Sequence, residues 1–251
     1  MSEPCSYLPW DSDFFGVRIA QVEANRLDQE SLIEIIQWCN QSDIDCLYYL
    51  ADPNYIESIR TAEDNQFHLV DVRVTRQYQF QPTVVFNQPV APYLIRPFLL
   101  SDLPDLRKIA RKSFTQSRFY SDPCFSQDKC DELYDVWIKN SCEGYADHVL
   151  VAEINGLPQG FITCHIRENQ CEGDIGLVGV SEQARGKGVG KSLTEYAREW
   201  FYNQGVNRIF VVTQGVNIVA HKLYDRSGFS IHSIKLWYHK WFKGCFQNSH
   251  E

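Results

Sequence analysis

Residues 180–192 read V-S-E-Q-A-R-G-K-G-V-G-K-S, with three glycines alternating with other residues among one arginine and two lysines. The apolar run I-G-L-V-G-V (175–180) leads into this segment and predicts a buried strand. Apolar residues at helical spacing follow it and predict an amphipathic helix that ends at Gly205. A loop between a strand and a helix exposes the unpaired N–H groups of the helix, which suit phosphate. The sequence therefore predicts an anion site at residues 183–191.

Several classes of glycine-rich loop could explain this pattern. A P-loop requires a glycine five residues before Gly190, where Arg185 stands. A dinucleotide-binding loop requires a glycine at Leu193 and a carboxylate at the end of the next strand, and that strand, R-I-F-V-V-T-Q-G-V-N, has none. A tight turn with incidental lysines is the structural alternative. The acyl-coenzyme A pattern Q/R-x-x-G-x-G/A fits at every fixed position, namely Gln183, Gly186 and Gly188.

Three segments together resemble the GNAT superfamily of N-acetyltransferases, over about residues 93 to 242. They are Y-L-I-R-P-F-L-L-S-D-L-P-D-L (93–106), G-L-V-G-V-S-E-Q-A-R-G-K-G-V-G-K-S-L (176–193) and N-I-V-A-H-K-L-Y-D-R-S-G-F (217–229). The resemblance implies an α/β (α+β) fold with a mixed, mostly antiparallel sheet and helices on both faces. It also implies that acetyl-CoA lies as cosubstrate between the strands at 175–180 and 208–213.

A narrower resemblance concerns the acceptor. The stretches W-D-S-D-F-F-G (10–16), F-T-Q-S-R-F-Y (114–120) and L-W-Y-H-K (236–240) resemble family members that acetylate the 4-amino group of a TDP-linked deoxyamino sugar. The implied function is acetyl-CoA-dependent N-acetyl transfer to such a nucleotide sugar. Alternative acceptors are a protein N-terminus, a polyamine or an antibiotic amine, because one fold hosts many acceptors. A non-catalytic CoA-binding module is the alternative from another class.

The resemblance also implies roles for individual residues. Tyr224 is the implied general acid, since a phenol with a pKa of about 10 stays protonated at neutral pH; a core tyrosine is the alternative. The backbone N–H near Val178 would polarise the thioester carbonyl. Asn217 is both a helix cap and a cofactor contact. The implied cofactor-binding residues are Leu177, Val178, Val180, Gln183, Arg185, Gly186, Lys187, Gly188, Val189, Gly190, Lys191 and Asn217.

The acceptor side has weaker signals. Arg118 is the candidate for the anionic part of the acceptor, because arginine pairs bidentately with phosphate; a surface salt bridge explains it equally well. The general base stays open: the amine could lose its proton through ordered water, and Asp174 and His165 could help by position. The aromatic residues Trp237, Tyr238 and Trp241 favour strand packing over a base-stacking platform.

The proline-rich segment 81–93 predicts a boundary between an N-terminal α/β domain (1–82) and the acetyltransferase domain (93–242). The N-terminal part has a strand, a helix led by Asn54, Phe67 and a long alternating strand, an order repeated at 208–242. We therefore expect the N-terminal domain to be a smaller, partial copy of the second fold without the glycine loop.

Bulk composition limits the partners. The formal net charge of −8 and the pI near 5.4 argue against nucleic acid, which requires a basic surface. No segment approaches the about 18 apolar residues of a membrane span, and the start lacks the pattern of a signal peptide. The nine cysteines lack the spacing of a metal site, so we expect no metal and reduced thiols. These features predict a cytoplasmic enzyme with a small-molecule acceptor, and the resemblance adds a homodimer.

Overall fold

The computed structural model describes residues 3–83, 86, 92–168 and 171–243. Most of the expected boundary segment, namely residues 84, 85 and 87–91, lies outside the described residues. The strands are β1 (Cys5–Tyr7), β2 (Ile19–Val22), β3 (Cys46–Ala51), β4 (His68–Gln79), β5 (Leu94–Pro97), β6 (His148–Ile154), β7 (Leu157–Ile166), β8 (Glu172–Val180), β9 (Arg208–Gln214) and β10 (Ser230–Trp241). The helices are α1 (Pro9–Phe15), α2 (Gln29–Gln41), α3 (Ile56–Asp64), α4 (Leu103–Ser113), α5 (Arg118–Ser121), α6 (Gln127–Asn140), α7 (Val189–Asn203) and α8 (Ile218–Arg226).

The ten strands of the described residues form one sheet in the order β1-β2-β3-β10-β4-β9-β8-β7-β6-β5. Only two neighbouring pairs in this order, β2–β3 and β8–β9, are parallel. The expected α/β class, with a mixed and mostly antiparallel sheet flanked by helices, is therefore confirmed. Strand β4 pairs with β9 and β10, and β10 also pairs with β3, so the last strand of each half lies beside strands of the other.

The two halves repeat one arrangement. In the N-terminal half, β1 and β2 are antiparallel, β2 and β3 are parallel around α2, and α3 leads into β4. In the C-terminal half, β7 and β8 are antiparallel, β8 and β9 are parallel around α7, and α8 leads into β10. This topology supports the partial-copy hypothesis. The division into residues 1–82 and 93–242 stays a prediction, and both segments contribute strands to the same sheet.

The helix after the glycine loop packs as its periodicity predicts. The side chains of Leu193, Ala197 and Phe201 are fully buried against the sheet. Burial of side chains such as Leu and Phe contributes about 1.5–3 kcal/mol each relative to exposure. A Cβ atom at Gly173 of β8 would collide with the ring of Phe201, so this glycine lets α7 approach the sheet closely. Helix α7 therefore holds the loop at its N-terminus in a defined position.

The cysteines differ in part from expectation. Cys5, Cys39, Cys46, Cys130, Cys142 and Cys164 carry free thiols. Cys124, by contrast, is disulfide-bonded, so the expectation of reduced cysteines throughout was wrong at this position. Because disulfides are rare in reducing compartments, the cysteines give no support for the expected cytoplasmic location. Within the described ranges, no helix is both long and apolar enough to cross a membrane.

Candidate active site

The central feature is a gap between two parallel strands. Pairing of β8 with β9 ends at Ile175 and Val211, although β8 continues to Val180 and β9 to Gln214. The divergent ends border a cavity of about 560 Å³. Because these strand segments are not paired with each other, a ligand can enter between them and bond to their main chain.

Two groups of residues line this cavity. The first, which we call the cofactor wall, comes from β8, β9, α8 and the glycine loop and consists of Gly176, Leu177, Val178, Val180, Arg185, Val212, Thr213, Gln214, Asn217, Val219, Ala220, Leu223 and Tyr224. The second, the acceptor wall, comes from β4, β10, α6 and the segment from α4 to α5. It consists of Asp71, Arg73, residues 112–119, Tyr134, Trp137 and Trp237.

The glycine loop has the backbone of an anion cradle. Gly186 and Gly188 have φ angles of +74° and +82°, a region that favours glycine. A Cβ atom at Gly186 would meet no atom within 4 Å, so the space in front of the loop is open. Gly188 is the N-cap of α7 and has no side chain to occupy the N–H groups of the first turn. These features fit the diphosphate of a coenzyme A thioester.

The residues that the sequence assigned to the cofactor fall into three groups. Leu177, Val178, Val180, Arg185 and Asn217 line the cavity. Gly190 is partly exposed, and Val189 is buried in the core, so only its backbone can contribute to binding. The other assigned residues are exposed on the loop outside the cavity lining, namely Gln183, Gly186, Lys187, Gly188 and Lys191.

Asn217 has the expected helix-cap role. Its Oδ1 accepts a hydrogen bond from the backbone N–H of Ala220 at 3.1 Å, which caps α8. The same residue lines the cavity, so a cofactor contact is compatible with the cap.

Tyr224 lies on α8 with its side chain on the cavity and is 4% exposed. Burial raises the pKa of its phenol, and the positive charge of Arg76 acts in the opposite direction. The phenol is therefore protonated at neutral pH and can donate a proton. Arg76 of β4 is itself buried and donates a hydrogen bond to the carbonyl of Phe229 at 2.9 Å. Its guanidinium also pairs with the carboxylate of Asp225 on α8, so β4 and α8 place a fixed ion pair near Tyr224.

Arg118 is held between aromatic rings. Its guanidinium carbon lies 4.0 Å from the ring centroid of Trp237 and 4.3 Å from that of Tyr48. Its Nη1 atom is buried and has no hydrogen-bond partner among the described residues. Within the same part of the chain it forms no salt bridge, so the surface-salt-bridge alternative is not what the structure contains. A buried N–H group without a hydrogen-bond acceptor is costly, so Nη1 favours a ligand with an acceptor, such as an anion, at this place.

Sequence reasoning missed two charged residues of the acceptor wall, Asp71 and Arg73. The apolar residues Val70, Val72 and Val74 define one face of β4, and alternation puts Asp71 and Arg73 on the other. That signal was available, but it did not show what the opposite face would border. Burial and the nearby charge of Arg118 lower the pKa of Arg73. Burial raises the pKa of Asp71 to about 6, against the opposing effects of the Val72 backbone N–H and Arg118.

The aromatic residues of β10 divide between two roles. Trp237 lines the cavity, so the interpretation of strand packing was incomplete for this residue. Tyr238 is buried in the N-terminal core, and Trp241 donates a hydrogen bond from Nε1 to Asp122 at 2.9 Å. These two contacts agree with the packing interpretation.

Asp174 and His165, the two candidates for the general base, lie outside the cavity lining. Asp174 pairs with Arg167, whose Nε is 2.6 Å from its Oδ2. Burial lowers the pKa of His165, and its Nε2 is 3.4 Å from Thr163 Oγ1. Neither side chain borders the space between the two walls, so neither is placed to take a proton there.

Comparison with solved structures shows the same fold. A GCN5-related N-acetyltransferase from Sphaerobacter thermophilus matches with a TM-score of 0.68 and 16% identity, covering 96% of this chain and 76% of that one. A tandem GNAT protein from the clavulanic acid biosynthesis pathway matches with a TM-score of 0.61 and 11% identity, covering 92% and 77% of the two chains. At these identities the similarity concerns the fold alone.

Curated relatives match part of the chain. A dTDP-fucosamine acetyltransferase of Escherichia coli O6:H1 is 32% identical over 143 residues, which are 56% of this chain and 60% of the relative. The spore coat polysaccharide biosynthesis protein SpsD of Bacillus subtilis is 31% identical over 140 residues, 56% of this chain and 48% of that protein. The matches thus span about half to three fifths of these relatives. The profile of the Acetyltransferase (GNAT) family matches residues 104–229, and the chain belongs to this family.

Proposed function

We propose that the protein is an acetyl-CoA-dependent N-acetyltransferase whose acceptor is the amino group of a nucleotide-linked 4-amino-deoxysugar, with a TDP-sugar as the first candidate. One observation carries the choice of acceptor. Arg73 and Arg118, neither with a carboxylate within 4.0 Å in the described ranges, line the same cavity as the divergent strands and Tyr224.

The charges of the acceptor wall match this class of molecule. A nucleotide sugar carries a diphosphate, and an arginine pairs with a phosphate through two parallel hydrogen bonds. Lys112 adds a third cation to the wall, although its side chain is exposed. Asp71 is the acidic residue of the wall and suits an ammonium group. A neutral amine acceptor without phosphate would leave the two arginines without partners.

The cofactor wall suits acyl transfer from acetyl-CoA, which supplies the activated acetyl group. The exposed N–H groups of the glycine loop would hold the diphosphate, and the open edge of β8 from Leu177 to Val180 would bond the pantetheine arm. The backbone N–H near Val178 would stabilise negative charge on the carbonyl oxygen. Tyr224 would give its proton to the leaving sulfur.

The relatives support an amino sugar as the acceptor, because one is named a dTDP-fucosamine acetyltransferase and another a spore coat polysaccharide biosynthesis protein. Both matches cover only part of those proteins, so the acceptor is a proposal for this chain. The expected cytoplasmic location and homodimer likewise stay predictions.

The first test is product analysis by mass spectrometry with acetyl-CoA and a panel of TDP- and UDP-linked amino sugars. We expect one acetyl group to be added to a 4-amino TDP-sugar. Transfer only to a polyamine, an antibiotic or a peptide N-terminus would refute the acceptor and keep the reaction. Acetyl-CoA binding without transfer to any amine would favour the non-catalytic alternative.

Replacing Arg118 tests the acceptor class directly. The Arg118→Gln variant should raise KM for the TDP-sugar about 30-fold, in line with a lost charge-assisted pair. The affinity for acetyl-CoA should not change. Arg60→Gln, an exposed arginine on α3, is the matched control and should leave both constants unchanged. An unchanged KM for Arg118→Gln would remove this residue from the acceptor site.

A further inference from the structure

We propose that Asp71 is the general base of the reaction, taking a proton from the acceptor ammonium so that the neutral nitrogen can attack the thioester. This inference rests on the proposed acetyl transfer to an amine. It assigns a catalytic group that sequence reasoning left open and places it on a strand of the N-terminal half.

The position of Asp71 follows from the pairing of β4 with strands of the C-terminal half, β9 and β10. Asp71 lies opposite Trp237 of β10, which also lines the cavity. The next residue, Val72, accepts a hydrogen bond from the N–H of Gly215 at 2.6 Å. A Cβ at Gly215 would come within 2.9 Å of the Val72 Cβ, so β4 and the loop after β9 are closely packed here. That loop leads into α8 and Tyr224. The proposed base and the proposed acid therefore border one cavity from adjoining elements.

Asp71 is available for a ligand. Among the described residues it forms no ion pair within 4.0 Å. The titratable and charged groups that border the same cavity are Arg73 on β4, Lys112 on α4, Arg118 on α5, Tyr134 on α6, Arg185 in the glycine loop and Tyr224 on α8. Among the lining residues that the structure describes, Asp71 is the one carboxylate, and the other charged groups are cations.

Burial of Asp71 raises its pKa, whereas the Val72 backbone N–H and the charge of Arg118 lower it. Burial dominates and raises the pKa to about 6, which is a useful value for a base near neutral pH. Above this pH the carboxylate is ionised and can accept a proton. As the pH falls through this value it becomes protonated, and the rate constant kcat/KM falls with it.

The proton balance is complete. The acceptor ammonium gives one proton to Asp71, and its nitrogen then bonds to the carbonyl carbon of the thioester. When the bond from that carbon to sulfur breaks, Tyr224 gives its proton to the sulfur. The nitrogen loses its second proton, which restores the phenol, and Asp71 releases its proton to water. The products are an amide, a free thiol and one proton.

The kinetic test compares Asp71→Asn with Asp71→Glu, using the acceptor that the wild-type protein acetylates. The Asn variant keeps the size and loses the basicity, so we expect kcat to fall by about 100- to 1,000-fold, with a much smaller rise in KM because the ammonium loses its charged partner. The fall of kcat/KM below about pH 6 should disappear in this variant. The Glu variant should recover part of the rate. Asp64→Asn, an exposed residue at the end of α3, is the control for a general charge effect.

A second measurement is independent of catalysis. The carbon-13 NMR spectrum of the aspartate carboxyl groups should contain one signal that titrates at about pH 6. This signal should be missing from the spectrum of Asp71→Asn. Titration of Asp71 at the ordinary value of about 4, or wild-type kcat in Asp71→Asn, would overturn the assignment. If the wild-type protein acetylates an amine other than a TDP-sugar, the proposed acceptor fails, and Asp71 is tested with that amine. A wild-type protein that acetylates no amine would refute the function and the base together.

Discussion

Two loops occupy equivalent places in the two halves of the sheet, and only one has the features of an anion site. Residues 181–188 connect β8 to α7, and residues 23–28, E-A-N-R-L-D, connect β2 to α2. Helix α7 begins after Gly188, which has no side chain and leaves the first-turn N–H groups open. Helix α2 begins after Asp28, whose Oδ1 accepts the N–H of Ser31 at 2.8 Å.

Topology alone therefore does not create a phosphate site. Both halves place a helix N-terminus after a strand that pairs in parallel with the next one. In the N-terminal half the Asp28 carboxylate uses an N–H group and brings a negative charge to the same end of the helix dipole. A diphosphate would be repelled there. The N-terminal half instead contributes β4 to the acceptor wall.

The largest of the effects expected from this comparison concerns the last helix of each half, α8 and α3. Tyr224→Phe should lower kcat about 100-fold or more while acetyl-CoA binds with unchanged affinity, because only the proton donor is lost. Stopped reactions analysed by mass spectrometry, with calorimetry for binding, measure both quantities. Tyr55→Phe, just before α3 of the N-terminal half, is the matched control and should keep wild-type turnover. Equal turnover in both variants would exclude Tyr224 as the acid.

A smaller effect is expected when the two loops are made alike. Gly188→Asp gives α7 an acidic N-cap like that of α2, and we expect acetyl-CoA to bind about 30-fold more weakly, or about 2 kcal/mol. Gly188→Asn separates charge from backbone strain, since Asn tolerates a positive φ comparatively well. The Asn variant should lose clearly less affinity in the same titration calorimetry. Similar losses for Asn and Asp would mean that backbone conformation, and not charge, decides binding.

The smallest effect is expected in the N-terminal loop. Asp28→Ala removes the cap of α2 and should lower the melting temperature by a few degrees, without changing the affinity for acetyl-CoA. Hydrogen bonds from Ser31 lower the pKa of Asp28, so its stabilising effect is present above its ordinary pKa and is lost as the pH falls through the folded-state value. Thermal melts of both proteins at neutral and acidic pH should therefore converge at low pH. A lower affinity for acetyl-CoA in Asp28→Ala would contradict the separation of roles.

Local sequence signals predicted the glycine loop and the helix after it, and the cofactor contacts assigned to them stay predictions. The spacing of Gln183, Gly186 and Gly188 identified the loop, because a strand, a glycine turn and a helix N-terminus are contiguous in the chain. The periodicity after Gly188 likewise predicted the buried face of α7. The sequence alone was thus sufficient for the family and the sheet class, and for the position of the glycine loop between β8 and α7.

The acceptor side was decided by tertiary structure. Asp71, Arg118 and Trp237 are far apart in the chain and meet only because β4 lies between β9 and β10. Alternation along β4 separates two faces, but it does not say which strands flank them or which face borders a cavity. Such pairing depends on contacts between distant segments, and each segment's own periodicity is compatible with several neighbours. The sequence by itself therefore determined where the glycine loop lies, and only the pairing of β4 with β9 and β10 decided which charged residues face the cavity.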